Sequence, residues 1–516
     1  MRFQLFLSAS LVFGTVGAAA GSAGCYNVGN DCNLFNCATG GGAGSTATAG
    51  TAGSGGTGAS TPEGCVPKDA TGPVADGCGI FVALSGNDAN QGTKTNPLKT
   101  LKAAIEKAKA DSKRVYACGE TFNEPLVVDS NVTIFGALNC TSDWSYNAST
   151  RTLLTADPDN LPLRIAQGTS LSAEDFDIAA ADAAAPGGSS IAIIAEQQAT
   201  LTLARSEVVA GVGAAGSPGQ SFGDFAADGM KGSIGTDACT AAQTVTAAPP
   251  INACTDVESV GGAGGNGLPA SGGDGSSGSP LGMTNGGTGD TGTTACKPGS
   301  AGQTGLDGGS GAGAAGMGSI NSTGYTGVPG ENGTPGTTGQ GGGGGGGSKG
   351  GSGINKCPDA AKSAGASGGS GGSGGCGGQG GNGGAAGGSS IAVLTLGAAL
   401  IWNDVTITAK AGGTGGDGGS GQFGGLGGSG GSGGKIPMGA VMNPGCVGQS
   451  GGNGGNGGHG GGGMGGHSIA IAHTGAAPDM SGALLFVATA GEGGTGDGVN
   501  DSTKGAKGIA AEIQAF

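Results

Sequence analysis

The amino-acid sequence predicts an all-β protein, a parallel β-solenoid interrupted by long glycine-rich insertions. A motif, Gly-Gly-Ser-Ser-Ile-Ala, occurs at residues 187–192 and 387–392 and recurs as Gly-Gly-His-Ser-Ile-Ala at 465–470. After each copy comes a short apolar run that ends in Ala-Gly. That run ends about 20 residues beyond the isoleucine of the motif, which is the size of one solenoid coil. The motif therefore marks where the chain re-enters the solenoid after each glycine excursion.

Glycine dominates the composition: 127 of 516 residues are glycine, and only 4% are aromatic. Few residues can bury side chains, so we expect one modest core rather than the several domains that the length alone would allow. Charged residues make up 11%, well below the roughly 25% of a typical soluble domain. The net charge of −15 gives no basis for gripping phosphates, so nucleic acid is not an expected partner.

Residues 1–24 have the features of an export signal: a basic Arg2, an apolar stretch and then small residues. Two processing sites compete. Residues 18–20 fit an ordinary signal-peptidase site, whereas Ser22-Ala23-Gly24-Cys25 resembles a bacterial lipobox with Ser22 in place of the usual aliphatic residue. The lipobox implies lipidation of Cys25, and the alternative is a soluble secreted protein with Cys25 in a disulfide. Residues 25–64 would be an anchor and flexible tether, which places the protein at the outer membrane or cell surface or outside the cell.

The chain has 13 cysteines, an odd number that suits a lipidated Cys25 and 12 cysteines that can pair in an oxidising compartment. No C-x-x-C occurs, so a zinc site is poorly supported. The candidate disulfide cysteines are those of the N-terminal half: Cys32, Cys37, Cys65, Cys78, Cys118, Cys140, Cys239 and Cys254. The short spacings favour local pairs, namely Cys32–Cys37, Cys65–Cys78 and Cys239–Cys254, although spacing alone cannot fix the connectivity.

Residues 65–210 carry the first strand and helix signals. A strand-like run at 79–85 is followed by turn residues and then by a helix whose apolar residues Leu98, Leu101, Ile105 and Ala108 share one face. Short strands follow at 114–118, 124–128 and 131–136, and further rungs are expected from residue 170 onwards. The later units at 387–411 and 465–516 contribute one coil and the C-terminal coils.

The order of motifs in this region carries a resemblance. Val82-x-x-Ser85-Gly86-Asn87-Asp88, Asn96-Pro97-Leu98-Lys99-Thr100-Leu101, the helix, Val115-Tyr116 and Val132-Thr133-Ile134-x-Gly136 follow one another. Together they resemble the N-terminal entry of the pectate-lyase-like superfamily of right-handed parallel β-helix proteins. The resemblance covers about residues 78–140 and implies that the amphipathic helix caps the open end of the solenoid, where strand edges would otherwise be unpaired.

Two glycine-rich insertions, 211–386 and 412–464, allow two interpretations. They are disordered, because glycine loses the most entropy on folding and buries nothing, or their triplets form three-per-turn helices of polyproline II type that pack side by side. The cysteines in them favour partial order. In composition they resemble the repeats of the mycobacterial PE-PGRS family, as at residues 451–458. The combination of a lipobox and an interrupted β-helix is similar to surface proteins of myxobacterial type.

The chemistry-bearing residues are few. Asp175, Asp177 and Asp182 invite a calcium site, because pectate-lyase-like proteins bind calcium with clustered acids, but the expected role of these residues is to solvate a coil. The nearest bases are Arg164 and Arg205, and no paired-arginine motif surrounds them. The chain's only histidines, His459, His467 and His473, lie in glycine loops or at strand ends and indicate no metal site or nucleophile pair.

These observations predict a non-catalytic structural or adhesive lipoprotein that displays a glycine-rich layer on a β-helix. The alternative is a polysaccharide-binding or polysaccharide-lyase-like protein, because β-helices commonly hold extended glycans along one face. The expected partners are the membrane, through the lipid anchor, and polysaccharide or matrix components. No cofactor is expected, apart from the calcium that the acidic residues would hold in the alternative.

Overall fold

The computed structural model describes residues 64–280 and 285–516. The predicted export signal, Cys25, the tether and the pair Cys32–Cys37 lie outside these residues. One α-helix, α1, spans Leu101–Asp111. Short 3-10 helices lie at Pro67–Asp69, Asp76–Cys78, Ala360–Lys362 and Asp501–Thr503.

The strands are short, and most of them belong to two sheets. In chain order they are β1 Gly79–Val82, β2 Arg114–Cys118, β3 Thr121–Asn123, β4 Leu126–Val128, β5 Val132–Asn139, β6 Ser145–Tyr146, β7 Thr152–Ala156, β8 Leu163–Ile165, β9 Ser170–Glu174, β10 Phe176–Ala180, β11 Ser190–Ala195, β12 Thr200–Ala210, β13 Ile251–Asn252, β14 Ser259–Val260, β15 Ser319–Asn321, β16 Gly324–Thr326, β17 Ser390–Thr395, β18 Ala399–Ala409, β19 Ser468–His473, β20 Ala483–Val487 and β21 Ala510–Ala515.

The fold is predominantly β with long parallel sheets, as the repeated motif predicts. A six-stranded sheet has the order β21-β19-β17-β11-β8-β4, and all its pairings are parallel. An 11-stranded sheet holds the remaining long strands, and only β6 joins it in antiparallel fashion. The chain alternates between the two sheets, so that β11 is followed by β12, β17 by β18 and β19 by β20. We call each such unit a pass.

The larger sheet curls because its strands bend at a residue with left-handed backbone. Arg205 (φ 52°) divides β12, Asp404 (φ 58°) divides β18, and Asp175 (φ 54°) separates β9 from β10. The first half of β12 therefore pairs with β9 and the second half with β10. These residues follow one another in register from pass to pass, so the bends stack into one corner of the molecule.

Helix α1 packs against the first strands, β1, β2, β4 and β5, and it lies where the amphipathic pattern predicts a helix. Thr100 caps the helix by accepting the Ala103 amide, and Leu101, Ala104, Ile105 and Ala108 are buried against the first strands. Glu124 accepts the amides of Leu101 and Lys102, which would otherwise lack partners at the helix start. Cap and strands thus form one hydrophobic cluster.

The repeated motif forms hydrogen bonds between equivalent residues of successive passes. Its third residue accepts the backbone amide of the equivalent residue in the next pass: Ser389 donates to Ser189 Oγ at 2.9 Å and His467 donates to Ser389 Oγ at 2.8 Å. Ile509 continues the series by donating to His467 Nδ1 at 2.8 Å. The second glycines of successive motif copies also stack on each other. A Cβ on Gly388 would collide with the carbonyl of Gly188 in the preceding pass, so this position must be glycine. The motif therefore sets the spacing of the passes.

The glycine-rich segments are hydrogen-bonded to each other with a period of three residues. Gly216, Gly219 and Phe222 donate in turn to Thr414, Asp417 and Ser420, and Gly413, Gly416 and Gly419 donate to Gly388, Ala385 and Asn382. Three residues per turn with bonds only to neighbouring segments is the behaviour of polyproline II-type helices. The second interpretation of the insertions therefore describes this part of the chain. We call these segments the glycine layer: 211–238, 261–267, 271–280, 285–290, 297–314, 328–350, 363–388, 411–435, 445–466, 490–496 and 504–508.

The run of seven glycines at 341–347 lies at the centre of the layer. Three consecutive amides donate to three different segments: Gly342 to Gly372, Gly343 to Ser300 and Gly344 to Ser276. Their carbonyls accept from three further segments, through the amides of Gly262, Gln449 and Gly287. A helix with six neighbours has no outward position, and this is why the sequence here is glycine at every place rather than at two of three.

Three disulfides connect residues in or beside the layer that are far apart in sequence. Cys239 is bonded to Cys357, Cys254 to Cys376 and Cys296 to Cys446, while Cys65–Cys78 and Cys118–Cys140 lie near the N-terminal cap. The predicted local pair Cys239–Cys254 is therefore wrong. The two cysteines are close in sequence, but each is bonded to a cysteine much further along the chain, at sequence separations of 118 and 122.

Candidate functional site

The three acidic residues proposed for calcium do not form one site. Asp175 lies at the stacked corner and binds Arg205, whose Nη2 is 2.7 Å from Asp175 Oδ2 and 2.6 Å from Glu174 Oε2. Tyr146 also donates to Asp175 Oδ1 at 2.9 Å. These carboxylates raise the pKa of Arg205 despite its partial burial, and the guanidinium stays charged. Both carboxylates of this group are therefore bound to the same guanidinium.

Asp177 and Asp182 instead join neighbouring passes. Asp177 accepts the Glu207 amide at 2.7 Å and lies 3.4 Å from Arg151, and burial raises the pKa of its carboxyl. Asp182 accepts the Val212 amide at 2.8 Å, and this hydrogen bond lowers the pKa of its carboxyl. Within residues 64–280 and 285–516, no cluster of three His, Cys, Asp or Glu side chains could hold a metal ion. The calcium interpretation is therefore not supported by this arrangement.

The three histidines lie in different structural environments. His467 is buried, donates from Nε2 to the Met317 carbonyl at 2.8 Å and contacts the Tyr325 hydroxyl at 3.1 Å. His473 ends β19 and is buried in the parallel ladder between Thr395 and Ala515. His459 belongs to the glycine layer, where its carbonyl accepts the Gly311 amide. Each of them has a structural place.

Part of the outer face of the six-stranded sheet is apolar and covered by a hairpin. Ile191, Ile391 and Ile469 of the three motif copies form a second hydrophobic cluster together with the residue three places further along each strand. The hairpin β15–β16 lies on it through Ile320 and Tyr325. Arg164 Nη1 holds the hairpin by donating to the Ser322 carbonyl at 2.5 Å. The hairpin therefore covers the part of this face that carries the motif isoleucines, whereas Val127 of β4 is exposed.

An open groove lies instead on the larger sheet, beside the end of α1. Its volume is about 470 Å³. Its walls are the last turn of α1 with the residues that lead into β2, and the outward side chains of β5, β9 and β12. The polar residues that line it are Lys109, Ser112, Lys113, Arg114, Asn131, Thr133, Ser170, Ser172, Thr200 and Thr202. It is a polar groove with a basic rim in an acidic protein.

Sequence reasoning missed this groove, although a signal was present. Asn131-Val132-Thr133, Ser170-Leu171-Ser172 and Thr200-Leu201-Thr202 share a polar-apolar-polar pattern with a β-branched or leucine centre. In the structure the three central residues are stacked in register and buried, so the flanking polar residues stack on the outside. The pattern predicts strands, but the pairing of these three strands is needed to see one surface.

The glycine layer also exposes apolar side chains. Phe225 and Phe423 are 63% and 56% exposed and stack on each other with ring centroids 5.4 Å apart. Met230, Ile234 and Leu426 are exposed on the same two segments, 211–238 and 411–435. These residues occupy the positions of the triplets that face neither glycine neighbour.

No known protein family, curated protein or solved structure matches this chain. In the part of the chain that the structure describes, no helix is long and apolar enough to cross a membrane. The five disulfides within residues 64–280 and 285–516 are consistent with an exported protein.

Proposed function

We propose that the protein is a non-catalytic structural or adhesive protein of the cell surface or extracellular space, which presents the glycine layer as a stiff slab. The observation that supports this most is the three-residue hydrogen-bond period that runs through the whole layer. Backbone groups, rather than side chains, hold the slab together. Its surface residues are therefore free to vary without loss of the fold.

In this proposal the glycine layer and the parallel sheets belong to one continuous β-helix fold. The passes are coils of a right-handed parallel β-helix with α1 as its cap, and each glycine segment leaves the stack where a pass ends. Residue 211 follows β12, and residue 411 follows shortly after β18. Export through residues 1–24, lipidation of Cys25 and a tether to residue 64 would hold this slab at a membrane surface.

The exposed side chains of the slab supply its adhesive character. Phe225 and Phe423 form an aromatic step, and the exposed apolar residues Met230, Ile234 and Leu426 lie on the same two segments. Aromatic side chains bury large areas at low entropic cost and are enriched at binding surfaces. We therefore assign the adhesive role to the exposed surface around Phe225 and Phe423.

Adhesion of coated beads tests this proposal. Beads that carry the full chain should adhere to each other or to polysaccharide gels, and Phe225→Ser/Phe423→Ser should reduce adhesion at least about threefold with unchanged folding. The control is Leu306→Ser, which changes an exposed apolar residue on a different segment of the layer. Beads that never adhere, or adhesion equal in all three proteins, would contradict the adhesive role.

The enzymatic alternative is tested separately. Turnover of acidic polysaccharides by the full chain, abolished by a calcium chelator and by Asp175→Asn, would overturn the non-catalytic proposal. We expect no turnover, because Asp175 is held by Arg205.

A further inference from the structure

The last strand of the larger sheet, β20, leaves part of the hydrophobic core uncovered. Leu485 and Val487 lie in register with Ile407 and Ala409 of β18, and all four side chains belong to or pack against the same core. Ile407 and Ala409 are 0% and 1% exposed, whereas Leu485 and Val487 are only half-buried. Among the described residues, only β18 pairs with β20. The far edge of β20 is therefore an open end of the core.

The outward face of β20 is also apolar. Leu484 and Phe486 are 64% and 54% exposed. Their partners in register on β18 are Thr406 and Thr408, so this column of side chains changes from hydroxyl-bearing to apolar at the last strand. The strand contains no charged residue. An edge strand that is apolar on both faces and uncharged lacks the features by which soluble proteins prevent edge-to-edge pairing.

The six-stranded sheet ends in β21, which differs in this respect. Among the described residues β21 pairs only with β19, and its Ile513 is half-buried although the in-register Ile471 of β19 is 0% exposed. However, the exposed Glu512 lies at the centre of β21. A charge on an edge strand opposes pairing with another chain. The strand that is open to pairing is therefore β20.

We propose that β20 pairs with β20 of a second copy of this chain across a two-fold axis. Two identical strands related by such an axis run antiparallel. Centring the pair on Leu485 places Leu484 of each copy opposite Phe486 of the other. Apolar cross-strand pairs that include an aromatic ring contribute to the stability of a sheet. The same pairing covers the half-buried Leu485 and Val487.

A second copy fits this edge for reasons of charge and of topology. Each chain has a net charge of −15, but β20 has none, so two copies can meet there without opposing like charges on the paired strands. At the other ends of the two sheets, β1 and β4 pack against α1. Each copy thus offers the same edge to the other, and an association of this kind closes at two copies instead of growing into a fibre.

This inference goes beyond the structural or adhesive role of the glycine layer and does not depend on it. Strand β20 belongs to the larger sheet, whereas Phe225 and Phe423 lie on the glycine segments. Coated beads could fail to adhere while the chain dimerises in solution, and the reverse also holds. The two proposals are therefore tested by different variants.

Sedimentation equilibrium of the full chain tests the proposal. The protein carries Cys25→Ala, so that no lipid on this residue can drive association. We expect a monomer–dimer equilibrium with a Kd of about 10 µM. The Kd should fall as salt rises from about 50 to about 300 mM, because salt screens the repulsion between two acidic copies.

Charges placed on the edge should prevent the pairing. Leu484→Lys/Phe486→Lys should weaken dimerisation at least about thirtyfold, because each lysine would lie opposite a lysine of the other copy. The matched control is Phe423→Lys/Leu426→Lys, which adds the same charge at a phenylalanine and a leucine that are 56% and 57% exposed on the glycine layer. The control should change the Kd less than about twofold.

Hydrogen exchange locates the contact. The amides of residues 484–487 should exchange at least about threefold more slowly at about 100 µM than at about 1 µM protein, and those of residues 423–426 should not change. The proposal is overturned if the chain is monomeric at about 200 µM, if the β20 variant dimerises as the parent does, or if association continues beyond dimers. An unchanged thermal unfolding temperature shows that each variant is folded.

Discussion

His467 occupies the place in the third motif copy that serine holds in the first two, and this choice has an electrostatic consequence. Its Nδ1 accepts the Ile509 amide and its Nε2 donates to the Met317 carbonyl, so the ring is the neutral Nε2-protonated tautomer. Burial lowers the pKa of His467. A second proton would sit on Nδ1, facing the Ile509 N–H.

The protein should lose stability as pH falls because of this residue. An unfolded histidine titrates near pH 6.5, whereas the folded pKa is lower, so the unfolded chain binds more protons in the window below about pH 6.5. The contribution is intact above that window and is lost as pH falls toward the folded pKa. The nearby Tyr325 stays neutral, since burial raises its pKa to about 12. Urea midpoints at about pH 7.5 and about pH 5.5 measure the loss.

His467→Ser is the informative variant for this prediction, because it restores the residue of the other two copies. Its hydroxyl can still accept the Ile509 amide, as Ser389 accepts the amide of the next pass. We expect its midpoint to change less between the two pH values than that of the parent protein. Equal changes in both proteins would assign the pH dependence to other groups.

A second prediction at this scale concerns the central glycine run. Gly343→Ala should destabilise the protein by roughly 2–3 kcal/mol, because the added Cβ would collide with the Asn285 carbonyl and the backbone must shift. Gly309→Ala is the matched control, since its Cβ would meet only Thr334 Oγ1 at 3.7 Å. We expect the control to be neutral or stabilising by about 0.5 kcal/mol. Equal unfolding free energies in the two variants would show that the layer is not closely packed at Gly343.

Among the elements, the glycine segments depend on disulfides because they bury few side chains. Cys254–Cys376 closes a loop of 122 residues and joins the 363–388 segment to the chain that enters the layer. Cys254→Ala/Cys376→Ala should lower the unfolding free energy by about 2–5 kcal/mol. Hydrogen exchange should accelerate at residues 366–376 and remain slow in β11 and β12. Faster exchange in the strands but not in the layer would contradict this localisation.

The sequence predicts where the helix and strands of this protein lie better than it predicts which elements contact each other. The apolar spacing of Leu101, Ile105 and Ala108 predicts α1, and the motif predicts β11, β17 and β19. Triplet periodicity predicts the type of helix in the insertions, but each glycine helix can contact up to six others. The identity of those neighbours depends on long-range register, which no local pattern encodes. The pair Cys239–Cys254 fails for this reason.

The groove shows the same boundary between local and long-range information. Residues 131–133, 170–172 and 200–202 each predict a half-exposed strand. Their hydroxyls form a row only because β5, β9 and β12 pair directly in register, although other elements lie between them in the sequence. The basic rim comes from a helix packed at the end of that sheet. A pattern within one strand could therefore indicate the outward face of that strand, but not the groove that the three strands form together.

For the whole molecule, the layer and the sheets share their backbone at every pass. The glycine column of Gly188, Gly388 and Gly466 belongs to the motif, yet Gly388 also accepts the amide of Gly413 in the layer. An opening of the layer at this point removes hydrogen bonds from the start of the strands. The layer and the sheets therefore share hydrogen bonds, and unfolding of one removes partners from the other.

This coupling predicts one cooperative unfolding transition for residues 64–516. In urea, the ellipticity of the strands and the slow-exchanging amides of residues 211–386 should be lost at the same midpoint, because strands and layer alternate along the chain at each pass. Gly388→Ala should shift both signals together, since it lies at the junction and its Cβ would meet the Gly188 carbonyl. If the amides of 211–386 exchange freely while the strands remain folded, the layer is an independent unit and the stiff slab proposed for it is excluded.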